Sequence, residues 1–226
     1  MKNVPQLRSQ IAEYGKRLYK RDYVGGADGN LSIRLNQTKV LITPSGKCLG
    51  YLKPSEMVII SSKGKKISGK LSQSSEYLLH LGIYSHRRDI NAVCHAHPIY
   101  STAFAVAGIA LDKLVLPEII GSLGIIPLVD YGTPGTPELF EKMADMVDCH
   151  DAFLLRNHGV VTLGADLEDA FNKMEMVERY ARILIAAKIL GKPYQLPKKL
   201  AAKIPGYDKV KLQMASCKTK RKKQTS

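Results

Sequence analysis

Ala92-Val93-Cys94-His95-Ala96-His97-Pro98 is the stretch on which the reading of this chain turns. Side chains two apart in an extended strand share a face, so His95 and His97 can offer two imidazoles to one ion while Ala96 packs behind them. Cys94 then points the other way and reads as a small buried hydrophobe. A second string, Arg156-Asn157-His158-Gly159, brings a third imidazole. Three neutral imidazoles with one exchangeable position suit a catalytic divalent ion such as Zn2+, because that position must admit a carboxylate, water or substrate oxygen. Glu76, in Ser74-Ser75-Glu76, is the candidate for it.

Each string also has an ordinary explanation. His-x-His can be two unrelated strand residues, Asn-His-Gly can be a plain turn, and Ser-Ser-Glu reads equally as a helix N-cap with an acid in the first turn. What joins them is their company. Gly29-Asn30-Leu31-Ser32-Ile33-Arg34, Leu41-Ile42-Thr43-Pro44-Ser45-Gly46, Ser74-Ser75-Glu76, His95-Ala96-His97 and Asn157-His158-Gly159 occur in that order. On these five strings the chain resembles the class II aldolase and adducin-head family from about residue 5 to about residue 190. The L-fuculose-1-phosphate aldolase branch is the most similar.

That resemblance implies an α/β fold in three layers, α/β/α, with a central mostly antiparallel sheet flanked by helices. It implies a metal-dependent lyase with one Zn2+, or another divalent ion, per subunit, held by Glu76, His95, His97 and His158. It further implies a phosphorylated sugar substrate and a homotetramer with active sites at subunit interfaces. The reaction implied is reversible cleavage of a ketose 1-phosphate to dihydroxyacetone phosphate and a small aldehyde such as lactaldehyde. A metal would polarise the carbonyl as a Lewis acid, and Glu76 would move a proton at the donor carbon.

Small residues in tight turns let backbone N–H groups approach an anion, and a helix start adds its own donors. Gly29 and Asn30, Ser45 and Gly46, and Ser74 and Ser75 have that character, and in the family the matching turns hold the substrate phosphate. One position departs from the pattern. Where fuculose-phosphate aldolases carry a tyrosine about twenty residues after His-x-His, this chain has Leu116-Pro117-Glu118-Ile119-Ile120. The acid at the aldehyde end is therefore open between Glu118, Tyr131 and Tyr207.

Three other readings share the fold. Ribulose-phosphate 4-epimerases resemble Ser-Ser-Asp at the triplet, where this chain has Glu76. Methylthioribulose-phosphate dehydratases share a glutamate resembling Glu118 but lack the triplet. Adducin-like heads are non-catalytic interaction modules without the metal histidines, and the presence of His95, His97 and His158 argues against that class.

Composition suits one enzyme domain. At 226 residues and 45% hydrophobic, the chain can bury a substantial core. Four scattered cysteines form no Cys-x-x-Cys pair, and neither a signal peptide nor a membrane-length apolar run is evident, so a reducing cytoplasm is expected and no membrane partner. The net charge of +14 looks like a nucleic-acid signal until it is located. Residues 209–226 carry seven Lys or Arg and no acid, which leaves 27 basic against 20 acidic residues elsewhere. The expected division is an aldolase domain over 1–207 and a basic, disordered tail over 208–226, without specific nucleic-acid binding.

The periodicity predicts an opening helix over 5–20, a hairpin of 31–35 with 40–43, a strand at 58–61 and a helix over 75–86. It then predicts the metal strand over 92–97 and helices near 98–107, 117–124 and 137–147. Strands at 127–131 and 152–157 alternate with these. The longest helix spans 167–190, stopped by Gly191-Lys192-Pro193.

Overall fold

The computed structural model describes the backbone of residues 3–223 and the side chains of residues 3–215. The chain opens with α1 (Val4–Lys20), followed by β1 (Asn30–Asn36), β2 (Lys39–Ile42), β3 (Val58–Ser61) and β4 (Lys66–Ser68). Next come α2 (Tyr77–His86), β5 (Ala92–Ala96), α3 (Ile99–Val106), α4 (Pro117–Ser122), β6 (Leu128–Val129) and α5 (Pro137–Met143). β7 (Ala152–Leu155), β8 (Gly159–Gly164), α6 (Leu167–Leu190), α7 (Lys198–Ala201) and α8 (Asp208–Lys223) complete it. The strands form one sheet in the order β4-β3-β2-β1-β5-β8-β7-β6. Every pairing is antiparallel except β6 with β7, so the expected three-layer α/β/α fold is the one observed.

Strand alternation divides the core into two faces. Leu31, Ile33, Ala92, Cys94, Ala96, Leu154 and Val160 pack with α1, α3 and α6. Val40, Ile42, Val93, Phe153, Leu155, Val161 and Leu163 pack with α2 and α5. Cys94 is fully buried on the first face and His95 belongs to the other, as the period of two requires. The helices obey the same logic. Asn3 caps α1 by accepting from the Gln6 N–H, and α1 buries Ile11, Tyr14 and Leu18. Asp166 caps α6 by accepting from the Asp169 N–H, and Gly191 at φ 152° ends it. Each large side chain of the α6 stripe, Phe171 among them, gains about 1.5–3 kcal/mol by leaving water.

The structure corrects the expected tail as far as residue 223, and residues 224–226 lie outside those described. Residues from 208 begin α8, and Val210 and Gln213 are fully buried. Tyr207 and Val210 pack with Leu114, Ile120 and Ala201 in a satellite core. Gln213 accepts from the Ile125 N–H at 2.7 Å and donates to the carbonyls of Leu123 and Cys149 at 2.9 and 3.1 Å. Lys209 reaches Asp151 at 3.0 Å, where Arg87 and Lys173 also converge. The segment is therefore anchored by Val210 in that core and by polar groups, which a search for apolar residues overlooks. Among the described residues no helix is long and apolar enough to cross a membrane.

Two measurements check this anchoring. Gln213→Ala strips partners from three backbone groups and should destabilise the protein by about 2 kcal/mol, read as a lower urea midpoint. Burial works to raise the Asp151 carboxyl's pKa, but Lys173, Lys209 and Arg87 prevail and hold it at about 2, below its ordinary 3.8. Its contribution is thus complete above the unfolded value and should disappear as pH falls from about 4 to about 2, more steeply than in Asp151→Asn.

Candidate metal centre

β5 lies at the middle of the sheet between β1 and β8, with His95 opposite Asn30 on one side and Val161 on the other. His97 sits just past the strand end, its N–H donating to the Tyr23 carbonyl at 2.9 Å. The turn between β7 and β8 supplies His158. Asn157 takes the left-handed conformation there at φ 53°, which asparagine tolerates better than most residues. Gly159 opens β8 because a side chain would collide: a Cβ would stand 2.4 Å from His97 Cδ2 and 2.7 Å from the Ala96 carbonyl oxygen. Gly29 likewise admits no side chain, at φ 68° and against His95 O.

The three imidazoles converge with candidate ligand atoms all within 4.8 Å of one another. His95 is fully buried and His97 and His158 are half-buried. Two outer contacts set the ring orientations. His95 Nδ1 lies 2.9 Å from the Val160 carbonyl and His97 Nδ1 lies 3.2 Å from Asp28 Oδ2. Both partners only accept, so each Nδ1 carries its proton, and once the ring is neutral each Nε2 presents a lone pair. Those Nε2 atoms face each other at 3.1 Å. Glu76 closes the set, with Oε2 3.0 Å from His95 Nε2 and Oε1 3.2 Å from His158 Nε2. Oε1 is buried and, though within ion-pair range of His158, lacks a directed hydrogen bond. With neutral imidazoles, acceptors this close repel unless a cation takes the place of the proton between them, so the donor set fits a divalent ion held by His95, His97 and His158.

Titration follows the same geometry. Burial works to raise the Glu76 carboxyl's pKa, but His95 and His158 outweigh it and keep the group well below the usual carboxylate range. Burial works to lower the His95 pKa, yet Glu76 and the Val160 carbonyl hold it above its ordinary value. His97 is pushed down to about 4 by burial and by its two imidazole neighbours.

The expected phosphate groups also gather beside the centre. Thr43–Ser45 runs along Ser72–Ser74, with the Ser45 N–H donating to Ser72 O and the Ser74 N–H to Thr43 O, both at 3.0 Å. Ser45, Gly46 and Ser75 are exposed, and Gly46 is left-handed at φ 69°. Ser74 is buried, and its hydroxyl accepts from the Glu76 N–H at 3.3 Å. Glu76 therefore occupies the N-cap position of α2, one residue before the helix it was expected to enter. Asn30 is buried too, and its amide donates to Glu76 Oε2 at 2.7 Å. Asp28 escaped the sequence reading altogether, because it stood inside a glycine-rich break.

Of the three candidate acids, Tyr131 is exposed and follows β6, which runs parallel to β7 with Val129 opposite Leu155. It thus leaves the sheet at the end that carries His158. Glu118 is exposed in the first turn of α4. Tyr207 is buried in the satellite core, which does not fit a mobile tyrosine.

The model of the Class II Aldolase and Adducin N-terminal domain matches residues 9–185. The chain belongs to the class II aldolase and adducin family. It is 39% identical over 177 residues to the L-fuculose phosphate aldolase of Methanococcus maripaludis (strain C5), covering 77% of this chain and 93% of that protein. It is 34% identical over 189 residues to the 3-oxo-tetronate 4-phosphate decarboxylase of Escherichia coli (strain K12), covering 82% and 87%. A solved L-fuculose 1-phosphate aldolase superposes with a TM-score of 0.83 at 33% identity, covering 91% of this chain and 96% of that one.

Asp28→Ala should lower divalent-metal affinity by about 10–100-fold without unfolding, as loss of an outer partner does; metal titration of the purified variant reads it. Affinity in the wild type should also climb as pH is raised through and above 6.5, because His95 must give up a proton it holds more tightly than usual.

Proposed function

We propose that the protein is a metal-dependent aldolase of phosphorylated ketoses. It would cleave a ketose 1-phosphate such as L-fuculose 1-phosphate to dihydroxyacetone phosphate and a small aldehyde such as lactaldehyde. The observation that carries this reading is Glu76, a buried carboxylate set against three imidazoles with one oxygen lacking a directed hydrogen bond. A divalent ion, Zn2+ in this reading, would polarise the ketose carbonyl as a Lewis acid when bound at His95, His97 and His158. Glu76, kept ionised by the imidazoles, is the base for the donor carbon: it returns a proton to C3 after the C3–C4 bond breaks and removes it in the reverse direction.

Ser45, Gly46 and Ser75, with the turn at Gly29, are the proposed seat of the substrate phosphate. Asn30 and Ser74 spend their side chains on Glu76 and its amide, so their part is to shape that seat. Tyr131 is the proposed acid at the aldehyde end. The homotetramer with sites at subunit interfaces remains part of this proposal, and light scattering tests it.

One comparison supports a second reading. The decarboxylase relatives are nearly as similar as the aldolases. Loss of carbon dioxide from a 3-oxo acid 4-phosphate leaves the same enediolate of dihydroxyacetone phosphate that aldol cleavage leaves, so one base and one phosphate seat can serve either reaction. Metal-loaded protein incubated separately with L-fuculose 1-phosphate and 3-oxo-tetronate 4-phosphate, with products identified by mass, separates them. Dihydroxyacetone phosphate and lactaldehyde are expected from the first. Carbon dioxide release from the second without aldol cleavage moves the protein to the other reaction.

Glu76→Gln should keep KM for the phosphate ester within a few-fold while kcat falls by about a hundredfold or more, since the amide cannot take the proton. Turnover at the wild-type rate would remove Glu76 from the chemistry.

A further inference from the structure

Behind Glu76 a row of buried polar side chains crosses from β1 to α2. Asn30 and Ser32 share a strand face, while Glu76, His80 and Tyr84 recur every four residues along one side of α2. Asn30 Nδ2 donates to Glu76 Oε2, and Asn30 Oδ1 contacts His80 Nε2. His80 Nδ1 lies 2.6 Å from Ser32 Oγ, which lies 2.8 Å from the Tyr84 hydroxyl. Ser32 and His80 are fully buried.

The carboxylate determines the protons of this row from Asn30 to Ser32. Glu76 can only accept, so Asn30 must turn its NH2 toward it and its carbonyl toward His80. His80 then carries its proton on Nε2. Burial pushes the pKa of His80 down to about 3, so it is neutral and Nδ1 has a lone pair to fill. The Ser32 hydroxyl fills it, and the Tyr84 hydroxyl beside it divides its one proton between Ser32 Oγ and the Ser32 carbonyl, 3.1 Å away. Donation therefore runs one way, from Ser32 through His80 and Asn30 to Glu76.

We propose that His80 is a positioning residue that locks the Asn30 amide in the orientation able to hydrogen-bond Glu76. A free amide can flip, which would set its carbonyl oxygen against the carboxylate 2.7 Å away. The lock also holds Oε2 still and leaves Oε1, the oxygen without a directed hydrogen bond, to handle the proton. The catalytic consequence rests on the aldolase reading, but the locking itself does not.

The test uses His80→Leu, which fills space without a donor, and His80→Gln, whose amide can restore the Nε2–H. Ser32→Ala, which removes the donor to Nδ1, serves if the leucine variant does not fold. In the metal-free protein, NMR should show the Asn30 side-chain amide exchanging slowly with solvent in wild type and His80→Gln. Exchange should be at least tenfold faster in His80→Leu and severalfold faster in Ser32→Ala. With metal bound, His80→Leu should lose at least tenfold in kcat while KM stays within about threefold and metal content is unchanged; His80→Gln should recover most of the loss. Unaltered exchange in His80→Leu, or in Ser32→Ala should it be the one that folds, overturns the proposal. So does a rise in KM or loss of metal that matches the fall in kcat. If wild type cleaves no ketose phosphate, the functional reading fails, and amide exchange alone still decides the lock.

Discussion

Three imidazole rings and a carboxylate share one pocket in which nearly every facing atom is an acceptor. Such a set drifts apart unless its surroundings forbid it. The forbidding groups are all backbone or short side chains. Val160 O and Asp28 clamp two rings from outside, Gly159 leaves the gap His97 fills, and the β5–β8 pairing places the strand among buried neighbours on both faces. Rigid support of this kind is what lets a cation be bound without first gathering its ligands.

The two helical layers divide the work. α1, α3 and α6 present an apolar floor to the sheet, and one exception there is informative. Glu178 of α6 is buried and accepts from the N–H groups of Tyr100 and Ser101 and from the Ser101 hydroxyl. A carboxylate at those N–H groups satisfies donors that the start of α3 leaves open and complements the helix dipole. Because α3 begins two residues after His97, Glu178 also fixes the exit of the metal strand. α2 does the opposite, turning a polar edge toward β1 where α6 offers hydrocarbon.

Much of this was legible because periodicity and chemistry coincide. His95 and His97 share strand parity, Leu167–Leu190 has a cap and a glycine stop, and the five strings lie in family order. The misses have physical causes. β8 is buried along its whole length, so Gly159-Val160-Val161-Thr162-Leu163-Gly164 shows no alternation to mark it as a strand. β4 is exposed at all three residues, and Ile67 alone between Lys66 and Ser68 is too little to mark a strand. The start of α8 hides behind its charge, since one buried valine, Val210, is no pattern, and Lys209 and Gln213 hold the helix by polar contacts. Asn30 was legible as a site residue, but its partner was not, because an amide facing a carboxylate 46 positions away leaves no local trace.

The same burial reorders the candidates for the aldehyde end. Tyr207 would have to leave Leu114, Ile120, Ala201 and Val210 to reach a substrate, exposing apolar surface from several side chains at about 25 cal/mol per Å2. Gly206, at φ 88° and pressed against the Gly121 backbone, anchors the preceding residue as well. Glu118 stands on α4, whose chain enters β6 at the end away from His158. Tyr131 requires neither rupture nor detour. Gly135, four residues further on, lies against Ser75, so the loop that follows this tyrosine borders the proposed phosphate seat. Within one subunit the direction of β6, a strand of only two residues, therefore decides which of the three candidates leaves the sheet at the end that carries His158.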